Sequence, residues 1–235
     1  PFTTIGADVE VGNGTWIGPN VTIMDGARIG TDCRIFSGAV PSAIPQDLKF
    51  QGESTTVEIG DRSTIRECVT INRGTKAYGK TMVGKDCLIM AYVHIAHDCI
   101  IGDHVILVNS VALAGHVEIG DYGIVSGLSA VHQFVKIGAH VMIGGGAMVR
   151  KDVPPFITAA GEPLAYAGVN SVGLKRRNFS QEDINEIQTL YRTLYQSGKN
   201  VSQAVNRIKE MHSNRPLADF ILSFIEQSDR GLIRK

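Results

Sequence analysis

Aliphatic residues recur at every sixth position over long stretches of this chain, beginning with Ile5, Val11, Ile17, Ile23, Ile29 and Ile35. A period of six fits neither the alternation of a strand nor the 3.6-residue turn of a helix. It matches the hexapeptide repeat of a parallel β-helix, in which each hexad gives one short strand and one turn. A small or β-branched residue stands four places after each aliphatic one (Val9, Thr15, Val21, Ala27, Cys33), and glycine often follows at once (Gly6, Gly12, Gly18, Gly30). The aliphatic side chain is expected to point inward, and the glycine to permit the backbone angles of the turn. Three hexads close one coil of a triangular prism. Residues 18 apart then stack and bury a continuous core.

The period lapses over Val40-Pro41-Ser42-Ala43-Ile44-Pro45-Gln46-Asp47-Leu48-Lys49-Phe50-Gln51-Gly52, resumes at Ile59, Ile65 and Ile71, and lapses again around Lys76-Ala77-Tyr78-Gly79-Lys80. Loop excursions are expected near residues 40–56 and 76–82. Loops carried by a rigid solenoid commonly bear function, which makes Asp47 and Lys49 candidates. From Val83 the register is unbroken through Ile89, Ile95, Ile101, Leu107, Leu113, Ile119, Val125, Val131, Ile137, Ile143 and Val149, twelve hexads in all. After Asp152-Val153-Pro154-Pro155 the period ends. The chain is therefore mainly β: a β-helix domain over 1–155, followed by a linker and a small C-terminal α-helical domain over 156–235. Ser180-Gln181-Glu182-Asp183 reads as a helix N-cap with acids in the first turn. Ile184, Ile187, Leu190, Tyr191 and Leu194 continue that helix to Ser197-Gly198. A second helix is expected from Ser202 to about His212, and a third after Pro216.

Lys and Arg balance Asp and Glu at 23 each, so no overall field draws nucleic acid or an acidic membrane. The four cysteines (Cys33, Cys68, Cys87, Cys99) form no CxxC pair. That argues against a disulfide framework or a cysteine zinc site and favours a reduced, intracellular setting. No apolar run reaches membrane-spanning length. The sequence opens at Pro1 in mid-pattern, which predicts a preceding native segment.

Within the unbroken block lies His94-Ile95-Ala96-His97-Asp98. Histidine beside an acid can act as an oriented general base near neutral pH, and two histidines with an acid can equally hold a metal. The 18-residue register adds neighbours: His97 aligns with Gly115 and Gln133, and Asp98 with His116. With His132 and His94, four of the seven histidines gather at one edge of the prism. The Gly115 N–H would face His97, where an oxyanion can develop. A convex prism has no deep pocket, so a cleft is expected to need a second subunit.

These residues, with Ala114-Gly115-His116, Ala130-Val131-His132-Gln133-Phe134, Asp152-Val153-Pro154-Pro155 and Gly173-Leu174-Lys175-Arg176-Arg177, resemble the acyl-carrier-protein-dependent UDP-N-acetylglucosamine O-acyltransferases that open lipid A synthesis. The Gln46-Asp47-Leu48-Lys49 loop and the closing Arg230-Gly231-Leu232-Ile233-Arg234 fit the same family, in order along the chain. The resemblance implies a cytoplasmic homotrimer of left-handed β-helices with active sites between subunits and no cofactor of its own. An (R)-3-hydroxyacyl group would pass from the phosphopantetheine of acyl carrier protein to the glucosamine 3-hydroxyl of UDP-N-acetylglucosamine. Carried over by motif, His97 is the base, Asp98 supports it and Gly115 supplies the oxyanion hole. Asp47, Lys49, Asn72, His94, His116, His132 and Gln133 line the substrate site. Asn170, Arg176 and Arg177 meet the nucleotide, the arginines suiting a diphosphate. Gly145 and Gly146 fall at the acyl-chain ruler.

Two departures from the family pattern bear on individual contacts: Asn72 stands where relatives can carry His, and Val172 where an acid can stand. Three readings compete, one of them an acetyl-CoA-dependent transferase on the same fold. A trimeric β-helix carbonic anhydrase could superficially place zinc on His94, His97 and His116, although the Lys-Arg-Arg turn and helical domain have no evident purpose there. A catalytically silent scaffold would leave the edge histidines as decoration.

Overall fold

The computed structural model describes residues 1–198, 200–211 and 215–234. Strands of two to five residues build a left-handed parallel β-helix with three faces. The first face carries six hydrogen-bonded strands from Val40–Ala43 up to Met148–Val149, with Thr4–Ile5 and Thr22–Ile23 pairing below them. The second carries seven, from Val9–Val11 to Lys136–Ile137, and the third runs from Trp16–Ile17 to Ala165–Val169. Strands pair in the expected 18-residue register, for example Ile95 with Leu113 and Leu113 with Val131. All twelve aliphatic positions from Val83 to Val149 are at most 3 % exposed. The smaller residues four places on (Val93, Cys99, Val105, Val111, Val117) fill the corners of the same core.

The glycines following the aliphatic residue have a different reason from the one expected. Gly12, Gly60 and Gly102 do not have positive φ. A Cβ on any of them would lie within 2.6 Å of the adjoining coil, against Gly30, Gly84 or Asp121 respectively. They are there to let coils approach. The left-handed backbone falls two residues later in each hexad, and is held mostly by residues with side chains, including Asp86, Tyr92, Asp98, His104, Ser110 and His116, with φ between 55° and 62°.

Both excursions leave the prism at one edge, between the first and second faces. The first is the loop 44–55, between strands Val40–Ala43 and Thr56–Ile59. The second spans 73–79, because Lys80–Val83 is a strand paired with Thr56–Ile59 and Ile100–Ile101, where the sequence suggested a loop as far as 82. Arg73 stacks over Phe50 and ties the two together.

The coil also continues past residue 155. Ile157–Ala160 pairs in parallel with Met142–Ile143 and then forms a hairpin with Ala165–Val169. Four helices follow: α1 (Ser171–Arg176), α2 (Gln181–Gln196), α3 (Val201–Met211) and α4 (Pro216–Glu226). α1 was not foreseen. α2 begins at Ser180 with a reciprocal capping box to Asp183, and the expected end of α3 at His212 lies outside the described residues. The helices pack on the coil's end, where the buried Tyr191 hydroxyl donates to the Pro155 carbonyl at 2.6 Å. The final segment returns to the coil. Fully buried Asp152 accepts from the Lys136 N–H, the Ser228 hydroxyl and the Arg230 N–H.

Candidate active site

Strand His94–Ile95 of the first face ends at the edge from which both excursions emerge. Asp98 takes the left-handed position of that corner, which turns its carboxylate into the protein; it is fully buried. Its Oδ2 accepts from His97 Nδ1 at 2.8 Å and from the Thr75 hydroxyl at 2.6 Å, while Oδ1 accepts from the Thr75 N–H at 2.9 Å and the Tyr78 N–H at 3.3 Å. Burial pushes the Asp98 carboxyl up, but the hydrogen bonds from Thr75 and His97 outweigh it and hold the group below the usual carboxylate range. A carboxylate can only accept, so His97 Nδ1 bears the proton and Nε2 is left as the basic nitrogen.

The His97 ring lies against Gly115, where a Cβ would sit 2.6 Å from Cε1 and 2.7 Å from Nε2. Glycine is required there by the imidazole itself. At the corner between the second and third faces, the equivalent N–H groups of Thr31, Lys85 and Asp103 are each accepted by an aspartate of the next coil. The residue in that place above Gly115 is Gln133, and among the described residues no acceptor in the chain takes the Gly115 N–H. It remains available to a ligand.

An open groove of about 750 Å³ runs along this face. Its floor is the small outward residues Ala96, Ala112, Ala114 and Ala130, with His94, His97 and Gln133 along it, and the 44–55 loop contributes Asp47 and Lys49 as a wall. His94 is oriented by a 2.8 Å hydrogen bond between Nδ1 and the Thr70 hydroxyl, and burial lowers its pKa.

The family model for UDP-N-acetylglucosamine O-acyltransferase domain 2 matches residues 152–233, and the model for the six bacterial transferase hexapeptide repeats matches residues 3–40 and 80–115. An acyl-[acyl-carrier-protein]–UDP-N-acetylglucosamine O-acyltransferase of Janthinobacterium sp. (strain Marseille) is 48 % identical over 208 residues, covering 86 % of this chain and 79 % of that one. The chain belongs to this family. It is an acyltransferase. Crystal structures of family members superpose over all of this chain: that of Bacteroides fragilis at a TM-score of 0.94 with 44 % identity and 99 % of its length covered, and that of Francisella novicida at 0.96 with 43 % identity and 87 % covered.

Not every residue expected from the family pattern lies in the groove. His116 sits behind His97: its ring stacks on Phe134 at 4.5 Å and meets His97 and Tyr78 edge-on, with Nε2 3.7 Å from Asp98. Burial lowers its pKa against the pull of Asp98. His132 is exposed and turned onto the Gln133 carbonyl. Asn72 is buried, with Oδ1 unpaired. Asn170 is consumed by the fold, accepting from Gly173 N–H as the N-cap of α1 and donating to the His140 carbonyl. Arg177 packs 5.0 Å over the Tyr122 ring and donates to the Tyr122 carbonyl. Tyr122 lies between the second and third faces, so Asn170 and Arg177 belong to a different edge of the prism from His97. Exposed Arg176 ends α1 beside them.

Thr75 and Tyr78 were not foreseen in the site. Their separation from Asp98 is not a multiple of six, so the register is silent about them. A different residue set from the expected zinc trio comes within metal-ligating distance: His97, Asp98 and His116, without His94. Both Asp98 oxygens there already accept hydrogens from Thr75, Tyr78 and His97. The donor set is arranged around a proton on Nδ1 rather than an open ligand site.

Proposed function

We propose that this protein transfers an (R)-3-hydroxyacyl group from acyl carrier protein to the glucosamine 3-hydroxyl of UDP-N-acetylglucosamine, in the cytoplasm, as the first step of lipid A synthesis. The observation carrying this reading is the His97 imidazole, held through Nδ1 by buried Asp98 and seated on the Gly115 amide at the floor of an open groove. In this scheme His97 Nε2 takes the proton of the 3-hydroxyl as its oxygen attacks the thioester carbonyl. The Gly115 N–H receives the oxyanion of the tetrahedral intermediate. Collapse expels the phosphopantetheine thiolate, which recovers the proton from His97. Asp98 stabilises the transient imidazolium, and the chemistry needs no cofactor beyond the carrier's own prosthetic arm. Asp47, Lys49, His94 and Gln133 contact the acceptor from the groove.

The outward chemistry of the three faces supports a homotrimer. The second face is charged, with ion pairs Arg28–Glu10, Lys80–Glu58 and Lys136–Glu118. The third presents Leu88, Met90, Ile106, Val108 and Ile124 outward at intermediate exposure, and Leu128 lies 76 % exposed at its edge. An apolar face of this extent is suited to packing on the groove face of another copy. The edge bearing Arg176 would then serve a neighbour's groove. At the acyl ruler, a Cβ on Gly146 would meet nothing within 4 Å and one on Gly145 first meets the Gly127 carbonyl at 3.5 Å, leaving room for a long chain.

Replacing His97 with Ala is expected to abolish transfer while leaving the trimer intact. Full activity in that variant would remove the base assignment, and activity with acetyl coenzyme A but not with acyl carrier protein would overturn the donor. If only short acyl chains transferred, the ruler reading would fail.

A further inference from the structure

Thr75 belongs to neither the hexad pattern nor the groove, yet it is 7 % exposed and holds both oxygens of Asp98. Its hydroxyl rotor is fixed from the other side: the Ala77 N–H donates to Thr75 Oγ1 at 3.2 Å. The hydroxyl proton therefore goes to Asp98 Oδ2, the oxygen that also receives His97 Nδ1. Asp98 is pinned a third way, its own N–H donating to the hydroxyl of fully buried Thr81 at 2.8 Å. The excursion 73–79 that carries Thr75 is shaped for this approach. Gly74 passes so close to the Lys80 backbone that a side chain there would collide with it, and Tyr78 closes the loop over the His116 ring.

We propose that Thr75 is a positioning residue of the acyl-transfer reaction, the third member of a His97–Asp98–Thr75 relay that fixes the carboxylate plane behind the base. The inference rests on the reading of His97 as base. Thr75 touches no substrate. By bonding both carboxylate oxygens it aims the Oδ2 lone pair at Nδ1, and so sets the direction of Nε2. It also disperses the negative charge, limiting how strongly Asp98 holds a proton on the imidazole. Removing the hydroxyl leaves Oδ2 held by His97 alone, loosens its aim and makes it a stronger acceptor. Turnover then falls, and the acid limb of the rate profile moves to higher pH, because the base holds its proton more tightly.

The test is steady-state kinetics of the full chain with acyl-acyl carrier protein and UDP-N-acetylglucosamine across pH, for Thr75→Val, Thr75→Ser and the His97→Ala control. Thr75→Val keeps the β-branched shape and the backbone N–H. It is expected to lower kcat at least tenfold, leave KM for the sugar nucleotide within about twofold, and raise the acid limb by at least half a pH unit. Thr75→Ser, which restores the hydroxyl, is expected within about threefold of the parent at every pH. Parental kcat in Thr75→Val, a fall in kcat with an unmoved acid limb, or a Thr75→Ser as impaired as Thr75→Val would each overturn the inference. If Thr75→Val does not fold, Thr75→Ala reads the same loss, and failure of both to fold would assign Thr75 a structural role only. Full transfer by His97→Ala would instead sink the underlying reading, whatever Thr75 does.

Discussion

Substituting alanine at Gly115 separates two contributions that usually fall together, the position of the base and the presence of the oxyanion donor. Alanine keeps the backbone N–H, and φ at this residue is not in the left-handed region, so the main chain tolerates it. The new methyl would lie 2.6 to 3.1 Å from three atoms of the His97 ring, whereas ordinary contact begins at 3.4 Å, so the imidazole must retreat by about 0.8 Å. It cannot tilt freely, because Asp98 holds Nδ1 at 2.8 Å and His116 lies edge-on behind it at 5.1 Å between ring centres. A displacement approaching 1 Å at a reacting atom costs on the order of 100-fold in rate, equivalent to about 2.7 kcal/mol of barrier. The expected result for Gly115→Ala is a kcat lowered about 30- to 100-fold, with KM for both substrates within about threefold and an unchanged oligomer. Gly145→Ala is the matched control: its methyl meets only ordinary contacts at 3.5 Å and beyond, so kcat should persist while the preferred donor length shortens. A Gly115→Ala enzyme within threefold of parental kcat would show that the ring does not work from where it lies.

Two further outcomes follow from groups outside the groove. His140 is stacked between Tyr122 and Phe156, and burial, reinforced by nearby Arg177 and opposed by Asp121, pushes its pKa down to about 4. The unfolded chain takes up this proton below about pH 6.5, whereas the folded one resists until about 4. Its share of stability is therefore complete above pH 6.5 and is lost as pH falls through that window, by no more than about 2 kcal/mol once solvent screening of the half-buried ring is allowed for. His140→Phe, which keeps the stack, should flatten the fall in denaturant midpoint between pH 6.5 and 4; an unchanged slope would refute this. Asp152→Ala leaves the Lys136 and Arg230 N–H groups and the Ser228 hydroxyl without their acceptor. It should cost about 2–4 kcal/mol in chemical denaturation and expose the C-terminal segment to proteolysis. A parental midpoint with a protected tail would show that the clasp is dispensable.

The sequence carried the β-helix because its signal is redundant: a dozen hexads repeat one inward residue, and counting by 18 places Gly115 on His97 and His116 on Asp98 without coordinates. What it hid has physical reasons. Thr75 reaches Asp98 from an excursion, where chain length no longer maps onto height along the prism. A signal existed nonetheless, since counting hexads through the interruptions puts loops 44–55 and 73–79 at the same edge as His97. The hairpin Ile157–Ala160 to Ala165–Val169 and the six-residue α1 follow the end of the period and are too short for a periodicity of their own. The family resemblance assigned Asn170 and Arg177 to the same sugar nucleotide as the histidines, but serving one substrate does not mean sharing an edge, and within one chain they stand apart. The glycines misled in a simpler way: a residue chosen for what its neighbour leaves no room for looks, in one dimension, like a residue chosen for its own flexibility.

The repeat has a consequence for how such a chain tolerates change in length. Each hexad between Val83 and Val149 supplies one buried aliphatic residue at the same place, so the interior tolerates losing a single hexad there far better than the exterior does. Removing six residues between Gly115 and Gln133 rotates everything downstream by a third of a turn, presenting the charged face where the alanine floor should be and carrying Gln133 away from Gly115. Removing 18 keeps each face in line and only shortens the groove. The two natural interruptions lengthen their coils by whole hexads, placing Ile29 beside Ile59 and Lys80 beside Thr56, and bulge outward at one corner instead of turning the prism. In this architecture a deletion can be silent to folding and fatal to the site, and which it is depends on divisibility by three hexads.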